Sequence, residues 1–272
     1  MPEIEEATIK VVVGTEKKSK KISDKEKKLT AYHEAGHAVA TFFSANQDPV
    51  HQISIIPRGM AGGYTMSRPT EDKSYAAKSD MLESIVVLLG GRVAEAVVLG
   101  DISTGASNDI ERATDIARKM ITKYGMSSTL GPISYGSGNE EVFLGKDYSH
   151  VRNYSETTAA EIDQEINNII TQSYQKTEDI LKENIDKLHG VAQYLLKYEK
   201  MDSEIFKSVM ESADVLEFTK EGRIKTDDSD EQKEEDIKET VLPEDSANKE
   251  DVSSDTPADV QNNDESQSET KE

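Results

Sequence analysis

Apolar residues along this chain recur mostly at helical spacing, and the exceptions are short. Ser23 and Glu26 have the spacing of a capping box, and the helix-favouring run after them reaches about Asn46, with Leu29, Val39 and Phe43 among its apolar positions. The period then shortens. Ile53 to Ile56 is β-branched and closes on Pro57, and Gly62-Gly63-Tyr64-Thr65-Met66 follows a turn, so two short strands are predicted. Helical periodicity returns from about Thr70 to Leu99, where Met81, Leu82, Ile85, Val86, Leu88 and Leu89 predict a central helix. A polar loop over 100–107 leads to a further helix capped by Ser107 or Asn108. It runs to about Tyr124, turns Ile110, Ala113, Ile116, Ala117, Met120 and Ile121 inward, and stops at Gly125.

The Gly- and Ser-rich stretch 126–147 predicts a loop with one strand at Ile133 to Tyr135. From Ser149 a long amphipathic pattern predicts two long helices with a break near His189-Gly190, and Asp202 or Ser203 caps a last helix through Met210. Residues 1–22 read as a short strand-like or helical piece around Ile9 to Val13 followed by a charged linker. No internal repeat is found. The expected fold is mainly α, with a small two- or three-stranded sheet, over residues 23–216.

Composition trims this picture at one end. From Glu221 to Glu272 there are 19 acidic against 6 basic residues and no aromatic ring, so this stretch holds −13 of the chain's −21. It cannot bury enough apolar area to offset its ordering entropy, and residues 217–272 are expected to be an acidic disordered tail. The remaining charge is ordinary, and the basic run Lys17 to Lys28 is interleaved with Ser, Glu and Asp, so no nucleic-acid partner is expected. Cysteine is absent, which excludes disulfides, thiol nucleophiles and Cys-based zinc clusters. The longest purely aliphatic run, Ile85 to Leu89, is far below the roughly 20 residues that span a bilayer, and the chain as given is expected to be soluble.

Candidate chemistry sits in His33-Glu34-Ala35-Gly36-His37. On a helix, positions i and i+4 share a face, so both imidazoles can reach one ion, while Glu34, about 100° round, can reach water there without being a ligand. This names two nitrogen ligands for zinc and a general base. A third ligand must come from elsewhere. An extended motif with glycine at 40 and histidine at 43 is excluded, because Ala40 and Phe43 stand there. Glu83, Glu95 and Asp109 are candidates, and chemistry alone leaves the choice between Glu95 and Asp109. For the substrate, Met60 to Met66 is a candidate sheet edge on which an extended peptide could add as a strand. Gly62, Gly63 and Tyr64 are its candidate contacts, the glycines removing side chains where another backbone approaches. A rival reading is an oligomeric scaffold with a structural metal, for which Glu34 has no use.

Four stretches then act together: HEAGH at 33–37, IPRGMAGGYTM at 56–66, LLGGRVAEAVVLG at 88–100 and STGASNDIERAT at 103–114. In that order they resemble the peptidase domain of FtsH, the membrane-anchored ATP-dependent zinc metalloprotease, over about residues 16–211. The resemblance implies a zinc endopeptidase for unfolded proteins, with His33, His37 and Asp109 as zinc ligands, Glu34 as catalytic base and Glu95 supporting from nearby. Where that family often has a second acid after this glutamate, the chain has Ala96. Residues 2–14 look like the end of the family's ATPase lid, and no G-x-x-x-x-G-K-[ST] phosphate loop occurs, so ATP binding is not expected. The resemblance further implies a homo-hexamer and, for a full-length protein, the cytoplasmic face of the bacterial plasma membrane, reached only through segments missing from this chain.

Overall fold

A computed structural model of the chain describes residues 2–17, 22–59, 61–135, 154–212 and 222. The expected acidic tail, Gly222 aside, and the loop residues 136–147 lie outside the described residues. Among those described, the order is α1 (Pro2–Val12), α2 (Asp24–Phe42), β1 (Val50–Ser54), β2 (Tyr64–Ser67), α3 (Lys78–Ala94), a π-helical turn (Glu95–Leu99), a 3-10 turn (Thr104–Ala106), α4 (Ser107–Thr122), α5 (Glu156–Glu183), α6 (Ile185–Tyr198), β3 (Lys200–Asp202) and α7 (Ser203–Glu211). The fold is mainly α with one small antiparallel sheet, as the periodicity predicts.

Helix α2 is the axis of the fold. Ser23 starts it by accepting the Glu26 backbone N–H at 3.2 Å. Every residue from Ala31 to Thr41 is buried, so this helix has no solvent face for its middle turns. Its small residues allow that. Helices α3, α5 and α6 and the sheet pack around it. The crossing with α3 is closest at Gly36 and Gly90, where a β-carbon added at Gly90 would stand 2.7 Å from the Gly36 carbonyl oxygen. Larger residues such as Val39, Ile85, Leu89, Met120, Leu181 and Leu195 belong to one hydrophobic core.

The sheet order is β2-β1-β3, both pairings antiparallel. Ile53 at its centre pairs with Thr65 on one side and Met201 on the other. Strand β2 is therefore an edge, and β3 is a three-residue strand that the sequence pattern does not predict.

Several boundaries differ from expectation for visible reasons. Helix α3 begins at Lys78, not Thr70, because the Asp80 carboxylate accepts the Ala77 N–H at 2.8 Å and fixes the first turn there. Past Ala94 the expected α-helix continues as a π turn ended by Gly100 in the left-handed region at φ 66°. Helix α4 is entered through the 3-10 turn that Ser103 initiates by accepting the Gly105 N–H, not by a cap at Ser107 or Asn108. Ile110, expected inside, is 37% exposed. The strand expected at 133–135 is absent: Ile133 donates to Gly131 within a turn, and Tyr135 donates to the Thr122 carbonyl at the end of α4. The break between the two long helices falls at Asn184, whose side chain bonds the Ile180 carbonyl, while Gly190 lies inside α6.

Candidate metal centre

His33 and His37 lie one turn apart on α2, and α4 begins against them. His33 Nε2 and His37 Nε2 are 3.1 Å apart, and Asp109 Oδ2 lies 3.4 Å from the first and 3.5 Å from the second. Among the described residues, these three form the one cluster whose donor atoms meet closely enough for an ion. Asp109 sits in the first turn of α4, where the helix dipole also favours its charge.

The outward nitrogens fix the tautomers. His37 Nδ1 lies 2.8 Å from the Val87 carbonyl oxygen, which can only accept, so that nitrogen carries the hydrogen and Nε2 turns a lone pair inward. His33 Nδ1 stands 2.7 Å from Glu95 Oε1, a carboxylate oxygen that accepts, so this nitrogen too carries a hydrogen. Glu95, fully buried at the entry to the π turn, is itself held by the Ser103 N–H at 2.7 Å and the Ser103 hydroxyl at 3.0 Å. Glu95 thus orients His33 and does not join the converging donors. Glu83, the other acid weighed from sequence, is engaged elsewhere: it accepts the Asn46 N–H after the end of α2. Gly91 allows the packing, since a β-carbon there would come within 2.6 Å of His33 Nε2.

The charges of the cluster are coupled through these contacts. Burial disfavours a charged His33, but hydrogen bonds to Asp109 and Glu95 outweigh it and raise its pKa to about 10. Asp109 is drawn well below the usual carboxylate range: burial opposes its charge, and the two histidines more than compensate. Glu95 is lowered as well, with His33 and Ser103 overcoming its burial. Without a metal, a proton on His33 supplies the positive charge. The donor set of two imidazole nitrogens and a carboxylate fits zinc, and a tetrahedral ion with arms of about 2.0–2.1 Å separates its donors by about 3.3–3.4 Å, close to the spacings found.

Glu34 lies beside this cluster and is buried. Thr65, on edge strand β2, places its hydroxyl 2.9 Å from Glu34 Oε2 and 3.0 Å from the Glu34 carbonyl oxygen. Burial pushes the Glu34 pKa up, an effect the nearby His37 and His33 and the Thr65 hydroxyl partly offset. A cavity of about 750 Å³ opens over the centre, lined by His33, Glu34, His37 and Asp109 on one side and by Gly62, Gly63, Tyr64 and Thr65 on the other. The two glycines differ. A β-carbon at Gly63 would lie 2.8 Å from Glu34 Oε1 and 2.7 Å from the Ser54 carbonyl oxygen, so the Glu34 carboxylate takes up the space a side chain would need. At Gly62 the nearest atom would be 3.7 Å away, an ordinary contact. Tyr64 lines the cavity while its hydroxyl bonds Gln52 at 2.6 Å.

Sequence reasoning missed Thr65, Ser103 and the Val87 carbonyl. Ser103 before Thr104-Gly105 is a readable turn signal, but a strand hydroxyl whose partner is 31 positions away leaves no spacing to read.

Fold and donor set together define a mainly helical domain with a candidate metal centre, and comparison with known proteins gives its family. The family model described as Peptidase family M41 matches residues 20–209. Among similar proteins, the ATP-dependent zinc metalloprotease FtsH 1 of Thermoanaerobacter sp. is 59% identical over 215 residues, covering 79% of this chain and 35% of the relative. The ATP-dependent zinc metalloprotease FtsH of Caldicellulosiruptor bescii is 60% identical over 210 residues, 77% of this chain and 34% of the relative. The Bacillus subtilis FtsH is 45% identical over 251 residues, 92% of this chain and 38% of the relative. The chain belongs to peptidase family M41. It spans about a third of the length of these relatives, and no described helix is long and apolar enough to cross a membrane.

Proposed function

We propose that this chain is a zinc-dependent endopeptidase that cuts unfolded polypeptides. The observation that carries the reading is the convergence of two inward imidazole nitrogens and the Asp109 carboxylate within 3.1–3.5 Å, with Glu34 beside them in a cavity bordered by strand β2, an edge of the sheet among the described residues. In this reading His33, His37 and Asp109 hold the ion, and what zinc supplies when bound is Lewis acidity, which lowers the pKa of water and polarises a carbonyl.

The chain's own residues do the rest. Thr65 occupies Glu34 Oε2, which leaves Oε1 to take the proton from water and later hand it to the leaving amine. Glu95 and the Val87 carbonyl keep the imidazoles in the ligating tautomer. Strand β2, whose outer edge is unpaired among the described residues, offers that edge to an extended peptide, which presents the scissile carbonyl with its backbone aligned. Folded proteins cannot offer such a strand. The relatives are named ATP-dependent zinc metalloproteases, and the substrates proposed for this chain's site are unfolded polypeptides, which can present such a strand.

Purified chain should contain about one zinc and digest casein, with digestion stopped by a chelator. Glu34→Gln should retain the zinc and lose at least a hundredfold in casein cleavage. Equal cleavage by this variant would refute Glu34 as the base, and retained cleavage after chelation would refute the metal.

A further inference from the structure

Arg58 has no solvent exposure at all, and the acids that neutralise it come from a distant part of the chain. Its Nη1 and Nη2 donate to Glu6 Oε1 at 3.1 Å and Oε2 at 3.3 Å, a bidentate pair with helix α1. Nη2 also donates to Glu16, which accepts the Lys200 ammonium at 3.2 Å. The Nε of Arg58 has no partner. Backbone bonds run alongside: Lys17 N–H to the Pro57 carbonyl at 2.9 Å, and Gly59 N–H to the Thr15 carbonyl at 3.2 Å. Arg58 and Ala61 exchange hydrogen bonds across the intervening turn at 3.1 and 2.8 Å.

Residues 15–17 are thus laid along 57–59, and the chain that leaves this turn becomes the wall of the cavity. Ala61 to Thr65 line it, Gly63 packs on Glu34, and Thr65 bonds it. A guanidinium cannot shed its charge, so a buried one without its acids is strongly disfavoured. If α1 and residues 15–17 move away, Arg58 must reach water, and the turn that carries it must open. The metal donors, on α2 and α4, take no part in this contact.

We infer that Arg58 is a positioning residue for the peptide groove, through which α1 and residues 15–17 hold residues 57–59, Ala61 and the leading end of β2 in the shape that receives substrate. Its consequence for catalysis rests on the peptidase reading above; the coupling itself does not. Displacement of α1 then loosens the groove and leaves the metal centre formed.

The test is the Glu6→Gln, Glu16→Gln double variant of the whole chain, followed by hydrogen exchange with mass spectrometry. Peptides covering 57–65 should exchange at least tenfold faster than in the parent, while those covering 31–41 keep their protection and zinc content is unchanged. KM for an unstructured peptide should rise about tenfold with kcat within twofold. Unchanged exchange over 57–65, equal acceleration over 31–41, or faster exchange with unchanged KM would each overturn the inference. A parent chain that cleaves nothing removes the peptidase reading, and the exchange comparison still decides whether Arg58 couples α1 to the groove.

Discussion

At the scale of single residues, the centre depends on hydrogen bonds that aim its reactive groups. Glu34 is buried, and Thr65 is the hydroxyl donor to its Oε2. Thr65→Val keeps the β-branched shape and removes that donor, and an unsatisfied buried acceptor costs about 1–3 kcal/mol. If the base must be aimed for proton transfer, kcat should fall roughly 10- to 100-fold with KM and zinc content nearly unchanged. Thr65→Ser, which keeps the hydroxyl, should recover most of it. Steady-state hydrolysis of a casein-derived peptide beside metal analysis checks this; a Val variant with full kcat would show that the carboxylate is held by something else. The same logic explains which residues were legible beforehand. His33, Glu34 and His37 announce themselves by local spacing on one helix. Asp109 and Glu95 are both plausible third ligands by chemistry, and only the fold shows that Asp109 faces the two Nε2 atoms while Glu95 reaches Nδ1 from behind.

Elements bring those residues together, and the closest approach is between α2 and α3. Gly90 faces the Gly36 backbone, which cannot rotate aside as a flexible side chain can. Gly90→Ala should therefore spread the two helices, destabilise the protein by about 1–3 kcal/mol and weaken zinc binding, since His37 leans on the Val87 carbonyl of α3. Gly190→Ala is the contrasting case: inside α6 its β-carbon would make only an ordinary 3.4 Å contact with Val209, and replacing a mid-helix glycine should stabilise by about 0.5–1 kcal/mol. Thermal melts of both variants give the signs, and a stable Gly90→Ala would remove the crossing from the account. Gly190 also shows where sequence pattern falls short. A glycine beside a histidine looks like a helix break, yet α5 stops at Asn184, whose amide competes for the Ile180 carbonyl. The starts at Ser23 and Asp202 were readable because a side-chain oxygen meets the N–H three residues on, a purely local event. The π turn at Glu95–Leu99 and strand β3 were not. The first keeps helical periodicity nearly intact, and the second is three residues held by pairing with Gln52 to Ser54 far away in sequence.

For the molecule as a whole, the cluster joins α2 to the start of α4, so an ion held there would stabilise the fold and would do so in a pH-dependent way. In the metal-free protein, His33 has a pKa raised from its ordinary 6.5 to about 10, which means that its stabilising contribution is fully present below 6.5 and is lost as pH rises towards 10. Asp109, lowered from its ordinary 3.8, contributes above that value and loses its contribution as pH falls through its folded value. Zinc needs the His33 Nε2 lone pair and must displace that proton. Across the window from 6.5 to about 10, zinc affinity should therefore rise by about tenfold per pH unit, or about 1.4 kcal/mol. At fixed free zinc above the dissociation constant, this gain passes directly into stability. The melting temperature of chelator-treated protein should decline from pH 6.5 to 9, while the zinc-loaded protein holds steady or gains. The gap between them should widen through the same range. Melts in chelator-buffered zinc measure both curves at one free-metal concentration. A gap that stays flat or narrows would mean that His33 is already unprotonated in the metal-free protein. The carboxylates around it would then not be holding the positive charge that the geometry assigns to them.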